Sequence, residues 1–208
     1  MKKIGILLIA LTIATFVMAQ EKTTKLKEIG LTFRNLDQFG FSYKVGTEHS
    51  LWRFNALSLS GNSESEDLDY DDNDRNSKHF SLGLSVGKEY RKLIAKNFEY
   101  RYGVDFSFSY KHSKIKRPSY SEYVSHYGDL KSKSNIYTPG INLILGVNYI
   151  IGEHLVLGAE MMPYIKYTFG KKTEEMEKYY DGEIEIDHSN FRYGFNSSSV
   201  LLSVAYRF

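Results

Sequence analysis

The chain has no cysteine, so a disulfide-stapled fold and a thiol nucleophile are both excluded, and so is a lipid-anchored N-terminal cysteine. Three prolines and sixteen glycines in 208 residues exclude a collagen-like repeat. Beyond residue 19 no apolar run approaches the roughly 20 residues of a membrane-spanning helix. A surplus of charge is missing too. Removing Lys2 and Lys3, which belong to the leader described below, from the 27 basic residues leaves 25 against 25 acidic ones. No bulk attraction to nucleic acid follows from such a balance. What the chain has instead is rings: 17 Tyr, 13 Phe and one Trp, at a mean hydropathy of −0.39.

Residues 1–19 read as a cleaved secretory signal peptide. Two lysines precede an apolar run from Ile4 to Met18, and Ala19 stands before a charged segment. The expected products are a leader, 1–19, and a single domain, 20–208.

That domain alternates with period two. From 98 to 111, Phe98, Tyr100, Tyr102, Val104, Phe106, Phe108 and Tyr110 share one parity. Glu99, Arg101, Gly103, Asp105, Ser107, Ser109 and Lys111 share the other. Successive side chains of a strand point to opposite faces, so one face is aromatic and the other small or charged. The same pattern runs through 29–34, 39–46, 80–87, 141–151, 155–169 and 200–208. It breaks phase near Ala56 and Leu57, where a bulge is expected, and again between Phe195 and Val200. Eight antiparallel strands result. Their connections are short at 35–38, 47–50 and 152–154, medium at 91–97, and long at 62–78, 112–135 and 171–190. Such asymmetry is expected of a transmembrane barrel with long external loops.

Volume decides which face points outward. Twenty-nine Tyr and Phe rings plus Trp52 remain after the leader is removed. They would overfill an eight-stranded barrel, whose interior is just wide enough for side chains, whereas the Gly, Ser and charged set fits. Rings also suit the two bilayer interfaces. The expected fold is therefore an all-β, eight-stranded antiparallel up-and-down transmembrane β-barrel. Its lumen would hold Arg53, Glu99, Arg101, Asp105, Glu160, Lys166 and Arg207 as a paired network, because an unpaired buried charge is costly.

The segment 200–208 alternates to Phe208, with Leu202, Val204 and Tyr206 at the preceding alternate positions. Here the chain resembles the small outer-membrane β-barrel proteins of Gram-negative bacteria, of the OmpA transmembrane-domain and OmpX type. The resemblance implies that Leu202, Val204, Tyr206 and Phe208 form the signal read by the outer-membrane assembly machinery. It also implies residence in the cell outer membrane.

Sites for chemistry are sparse. Asp69, Asp71 and Asn73 open like a calcium loop, but Asp74 stands where glycine is required and Phe80 where the closing Glu belongs. Ser125, His126 and Glu122 are the nearest approach to a hydrolytic set, and adjacency alone does not aim a base at a nucleophile. No catalytic residue, metal ligand or cofactor is expected. Lys114, Lys116, Arg117, Lys131 and Lys133, interleaved with Tyr120, Tyr123 and Tyr127, suit the phosphates of lipopolysaccharide. The function expected is non-enzymatic and structural or adhesive, with outer-membrane lipid, lipopolysaccharide and an external ligand of the loops as partners, and no nucleic acid. The rivals are a lipid A-modifying enzyme and a soluble lipocalin-like binder, the latter with its apolar face inward.

Overall fold

A computed structural model describes residues 25–34, 38–66, 75–121, 126–176, 183–195 and 199–208. The expected leader, 1–19, lies outside them. The strands are β1 (Leu26–Arg34), β2 (Gln38–Gly46), β3 (Ser50–Glu66), β4 (Arg75–Ala95), β5 (Phe98–Ser121), β6 (His126–Ile151), β7 (Leu155–Met161), β8 (Tyr164–Met176), β9 (Glu183–Gly194) and β10 (Val200–Arg207). Every pairing is antiparallel, and each strand from β1 to β7 meets the next. The ring closes through β10, which pairs with β7 on one side and β1 on the other.

Ten segments make eight barrel strands because two are interrupted. β7 and β8 meet β6 in one continuous register, Leu145 opposite Met161 and Asn142 opposite Tyr164. Pro163 stands at the break, having no N–H to give the ladder, and its carbonyl still accepts from Leu143 N at 2.9 Å. Between β9 and β10 the register breaks. Gly194 faces Tyr164 and Val200 faces Met161, a shift of three residues between the two pairings. Gly194 ends β9 at φ 147°, a conformation open to glycine. The bulge expected in β3 is present as a register shift between Ala56 and Ser58.

At one end of the barrel the turns are tight. Lys96 and Asn97 link β4 to β5, with Asn97 at φ 71°, which asparagine tolerates. The chain's two described ends meet there also: Lys27 and Phe208 exchange both backbone hydrogen bonds, at 3.0 and 2.9 Å.

The outward parity is apolar and bare. Phe106 is 62 % exposed and Leu143 52 %, whereas inward-facing Asp105 and Arg101 are 0 % and 1 %. A soluble barrel has the opposite distribution. Rings collect at two levels of the outer wall. Tyr110, Tyr137 and Phe169 stack across β5, β6 and β8 with centroids 5.2 and 5.6 Å apart. Towards the tight turns, Tyr90 stacks on Tyr102 at 5.6 Å and Phe98 packs on Tyr149 at 4.9 Å. Ten residues separate Tyr100 from Tyr110, which for a tilted strand is about 25 Å, the height of a transmembrane barrel's apolar band. The wall is thus a lipid-facing surface with an aromatic belt at each edge.

The expected long loops are corrected. β5 and β6 stay paired from Phe98 and Tyr149 up to Ser121 and His126, far beyond Tyr110. β3 and β4 pair up to Glu66 and Arg75, and β8 and β9 up to Glu175 and Glu183. Most of 112–135 and 171–190 is therefore sheet, as are 91–95. Above the belt the described side chains of both parities are largely part-exposed or exposed, so no apolar alternation marks these stretches, and ladder pairing extends them. β1 and β2 have nine residues each and stop short. Above them β3 pairs only with β4, and β9 only with β8, among the described residues. Two strand edges flank this notch.

Phe106→Arg, near mid-membrane, is expected to cost about 2–4 kcal/mol, and Phe80→Arg, above the upper belt, about 0–1 kcal/mol. Urea unfolding in lipid vesicles measures both.

Candidate functional site: the ionic core of the barrel

The inward parity of the lower half brings ten ionisable side chains into one buried layer. Five are acids, Glu28, Glu89, Glu99, Asp105 and Glu160, and five are bases, Lys44, Arg53, Arg91, Arg101 and Arg207. The formal charges cancel. β1, β2, β3, β4, β5, β7 and β10 each contribute at least one, so the network ties opposite walls together.

Its upper tier is centred on Glu89, which is fully buried. Glu89 accepts from Lys44 Nζ at 3.1 Å, Arg53 Nη1 at 2.8 Å and Arg91 Nε at 2.6 Å. Arg53 also forks onto Glu160 across the lumen, at 3.0 and 2.9 Å. Arg101 Nη2 lies 3.0 Å from Glu160 Oε2. Asp105 takes Asn55 Nδ2 at 3.4 Å and Ser85 Oγ at 3.5 Å, with Arg53 Nε 3.5 Å from its other oxygen. The lower tier is a second pair of forks. Arg91 donates to both oxygens of Glu28 at 2.6 Å. Arg207 donates to both oxygens of Glu99, at 3.0 and 2.8 Å, and through Nε to Glu28 at 2.8 Å. Asn148 caps Glu99 at 3.1 Å. Planar guanidinium forks suit this task because each bonds two carboxylate oxygens at once.

Glycine makes the space. A Cβ at Gly158 would stand 2.8 Å from Arg101 Nη2 and 2.9 Å from Asn148 Oδ1. One at Gly146 would stand 3.0 Å from Arg101 Nε. A cavity of about 10 Å³ among Thr32, Ser42, Lys44, Arg53, Arg101 and Glu160 has room for one water. The lower lumen is thus packed with charge that neutralises itself, and among the described residues it has room for single waters rather than a water-filled path.

Of the seven lumen residues named from sequence, Arg53, Glu99, Arg101, Asp105, Glu160 and Arg207 stand in this layer. Lys166 does not, and its expected place in the network is corrected. It faces the lumen on β8 above the layer, opposite Arg192 on β9, with Arg34 as its other electrostatic neighbour. Its Nζ lies 4.6 Å from the Tyr164 ring centroid. No acid pairs with it among the described residues, so Arg34, Lys166 and Arg192 form a positive group above the neutral layer. Glu28, Lys44, Glu89 and Arg91 are the members that sequence reasoning missed. Tyr90 was the available signal: its outward parity continues from Val86 through Lys88, which turns Glu89 and Arg91 inward.

Leu202, Val204, Tyr206 and Phe208 all lie on the outer face beside the closing seam, 42–56 % exposed. Asp69, Asp71, Asn73, Asp74, Glu122 and Ser125 lie outside the described residues, and His126 opens β6. Among the described residues no group of three or more acidic or histidine side chains could hold a metal ion.

Arg53→Met leaves the buried carboxylates of Glu89 and Glu160 short of a partner and is expected to destabilise the barrel by about 3–5 kcal/mol. The double variant Arg53→Met, Glu160→Leu removes one charge of each sign and is expected to cost less than Arg53→Met alone. The temperature at which the folded band converts to the unfolded one in heat-modifiable gel mobility checks the order.

No protein-family model matches the chain, and no curated protein matches it. Among solved structures, a major outer membrane protein from Thermus thermophilus is similar at 14 % identity and TM-score 0.45, over 89 % of this chain and 100 % of that one. Acinetobacter baumannii CarO2 is similar at 8 % identity and TM-score 0.38, over 88 % of this chain and 97 % of that one. CarO from the same organism gives 8 %, 0.33, 88 % and 96 % in the same terms.

Proposed function

We propose that this chain is a non-enzymatic outer-membrane protein: a sealed β-barrel that anchors a projecting sheet outside the cell, in a structural or adhesive role. One observation carries the reading. The lower lumen is filled by a neutral layer of ion pairs whose largest members are almost wholly buried, so nothing is left open for solute to cross. What remains available for work is outside the bilayer. β5 and β6 continue as a paired ribbon above the upper belt, and among the described residues the edges of β3 and β9 beside the notch retain free backbone donors and acceptors. Such edges accept an added strand from a partner, which suits adhesion. The outward row Leu202, Val204, Tyr206 and Phe208 suits recognition by the assembly machinery, since it borders the seam where the barrel closes.

In planar bilayers the purified protein is expected to give no large, steady openings; a stable conductance of porin size would contradict the sealed barrel. Deleting 113–134 is expected to leave heat-modifiable mobility intact and to abolish adhesion of cells that display the protein. Unchanged adhesion would remove the ribbon from the function.

A further inference from the structure

Three lysines stand in one row on the outer wall. Lys78 on β4 is directly opposite Lys114 on β5, and Lys114 is directly opposite Lys133 on β6. All three have the outward parity and are exposed. Like charges directly opposed on neighbouring strands repel, and here the same repulsion occurs twice in succession. The neighbouring charges are handled differently. Lys171 is paired with Glu185, and Lys172 with Glu174 at 2.6 Å. The row runs on to Thr173 on β8 and only then to Glu185, which Lys171 already holds. Among the described residues no acid pairs with any of the three, which leaves the row with three unoffset positive charges.

Its height gives the excess a meaning. Counting outward along β5, the row at Tyr110 is the aromatic belt, the row at His112 comes next, and Lys114 follows. Four residues cover about 13 Å along a strand, or about 10 Å along the normal of a barrel with tilted strands. The headgroup zone of a bilayer is roughly 5–8 Å deep on each side, and a lysine stem bridges the difference while keeping its ammonium in the polar layer. Adjacent strands lie about 4.8 Å apart, so the three stems span about 10 Å, wide enough for more than one phosphate.

We propose that Lys78, Lys114 and Lys133 form a seat for the phosphates of an outer-leaflet glycolipid, with the acyl chains lying against the Tyr110, Tyr137 and Phe169 belt below. This inference rests on the outer-membrane reading above and names the lipid class that this face of the ribbon takes. The occupant is lipid-borne, because a free phosphate would gain nothing from the apolar wall beneath the row.

The full-length protein, folded in detergent, tests this by native mass spectrometry with diphosphoryl lipid A as the probe. Wild type is expected to retain the lipid. The triple variant Lys78→Gln, Lys114→Gln, Lys133→Gln is expected to bind it about a hundredfold more weakly, at about tenfold or less per lysine. Lys171→Gln, which removes an already paired charge, is expected to leave binding unchanged. Lipid A stripped of its phosphates, and inorganic phosphate alone, are expected to bind neither protein measurably. Equal affinity of folded wild type and folded triple variant would overturn the seat, and so would saturation by inorganic phosphate alone. Failure of the outer-membrane reading has a separate signature: protein recovered soluble without detergent and showing no heat-dependent gel shift.

Discussion

An eight-stranded barrel that faces lipid on the outside must still fill its inside, and here the filling is charge. Bulk water has little access to ten ionisable groups held among strands, so they are solvated mainly by one another. The equality of five acids and five bases is therefore a condition of closing the barrel. It also explains the arginine bias of the layer. Arg53, Arg91 and Arg207 each engage a carboxylate with two donors, and Arg53 and Arg91 also meet on Glu89. Because these bonds join β1 to β4, β3 to β7 and β5 to β10, the network acts as cross-bracing as well as filler.

The same inversion governs the outer wall. Rings that would form the core of a soluble protein stand on the exterior, where lipid takes the place of a packed interior. Ionisable groups are sorted by height. Among the described residues, neutral pairs fill the lower lumen, Arg34, Lys166 and Arg192 form a positive group higher up, and a lysine row without acid partners stands outside above the aromatic belt. A total charge close to balance, +2 over the chain, thus conceals three separate electrostatic zones.

Much of this was legible in the sequence because a bilayer imposes period two on every strand that crosses it. Residues 98–111 declared both faces outright, and Arg101 and Asp105 followed from parity. Legibility stopped where the bilayer stops. The stretch 112–121 is strand, yet from 112 to 116 side chains of both parities are partly exposed, so hydropathy gives it no rhythm and it reads as loop. Glu89 and Arg91 were lost for a related reason, since Lys88 interrupts the apolar row just before Tyr90 restores it. Glu28 precedes the first clear alternation at Ile29. Lys166 has the right parity but sits above Met162 and Pro163, and parity reports a face without reporting a height. Pairing partners, such as Arg53 with Glu160 across the lumen, depend on closure and leave no trace in local sequence.

The central claim is that the even-numbered side of β5 meets lipid and the odd-numbered side meets a sealed ionic interior. The absence of native cysteine makes a direct scan feasible. Single cysteines placed in turn from 98 to 111, spin-labelled in lipid vesicles, report collisions with oxygen, which partitions into hydrocarbon, and with a water-soluble nickel chelate. Oxygen contact is expected at even positions, and contact with neither reagent at 99, 101, 103 and 105. Nickel contact at those four odd positions would mean a water-filled lumen and would contradict the claim.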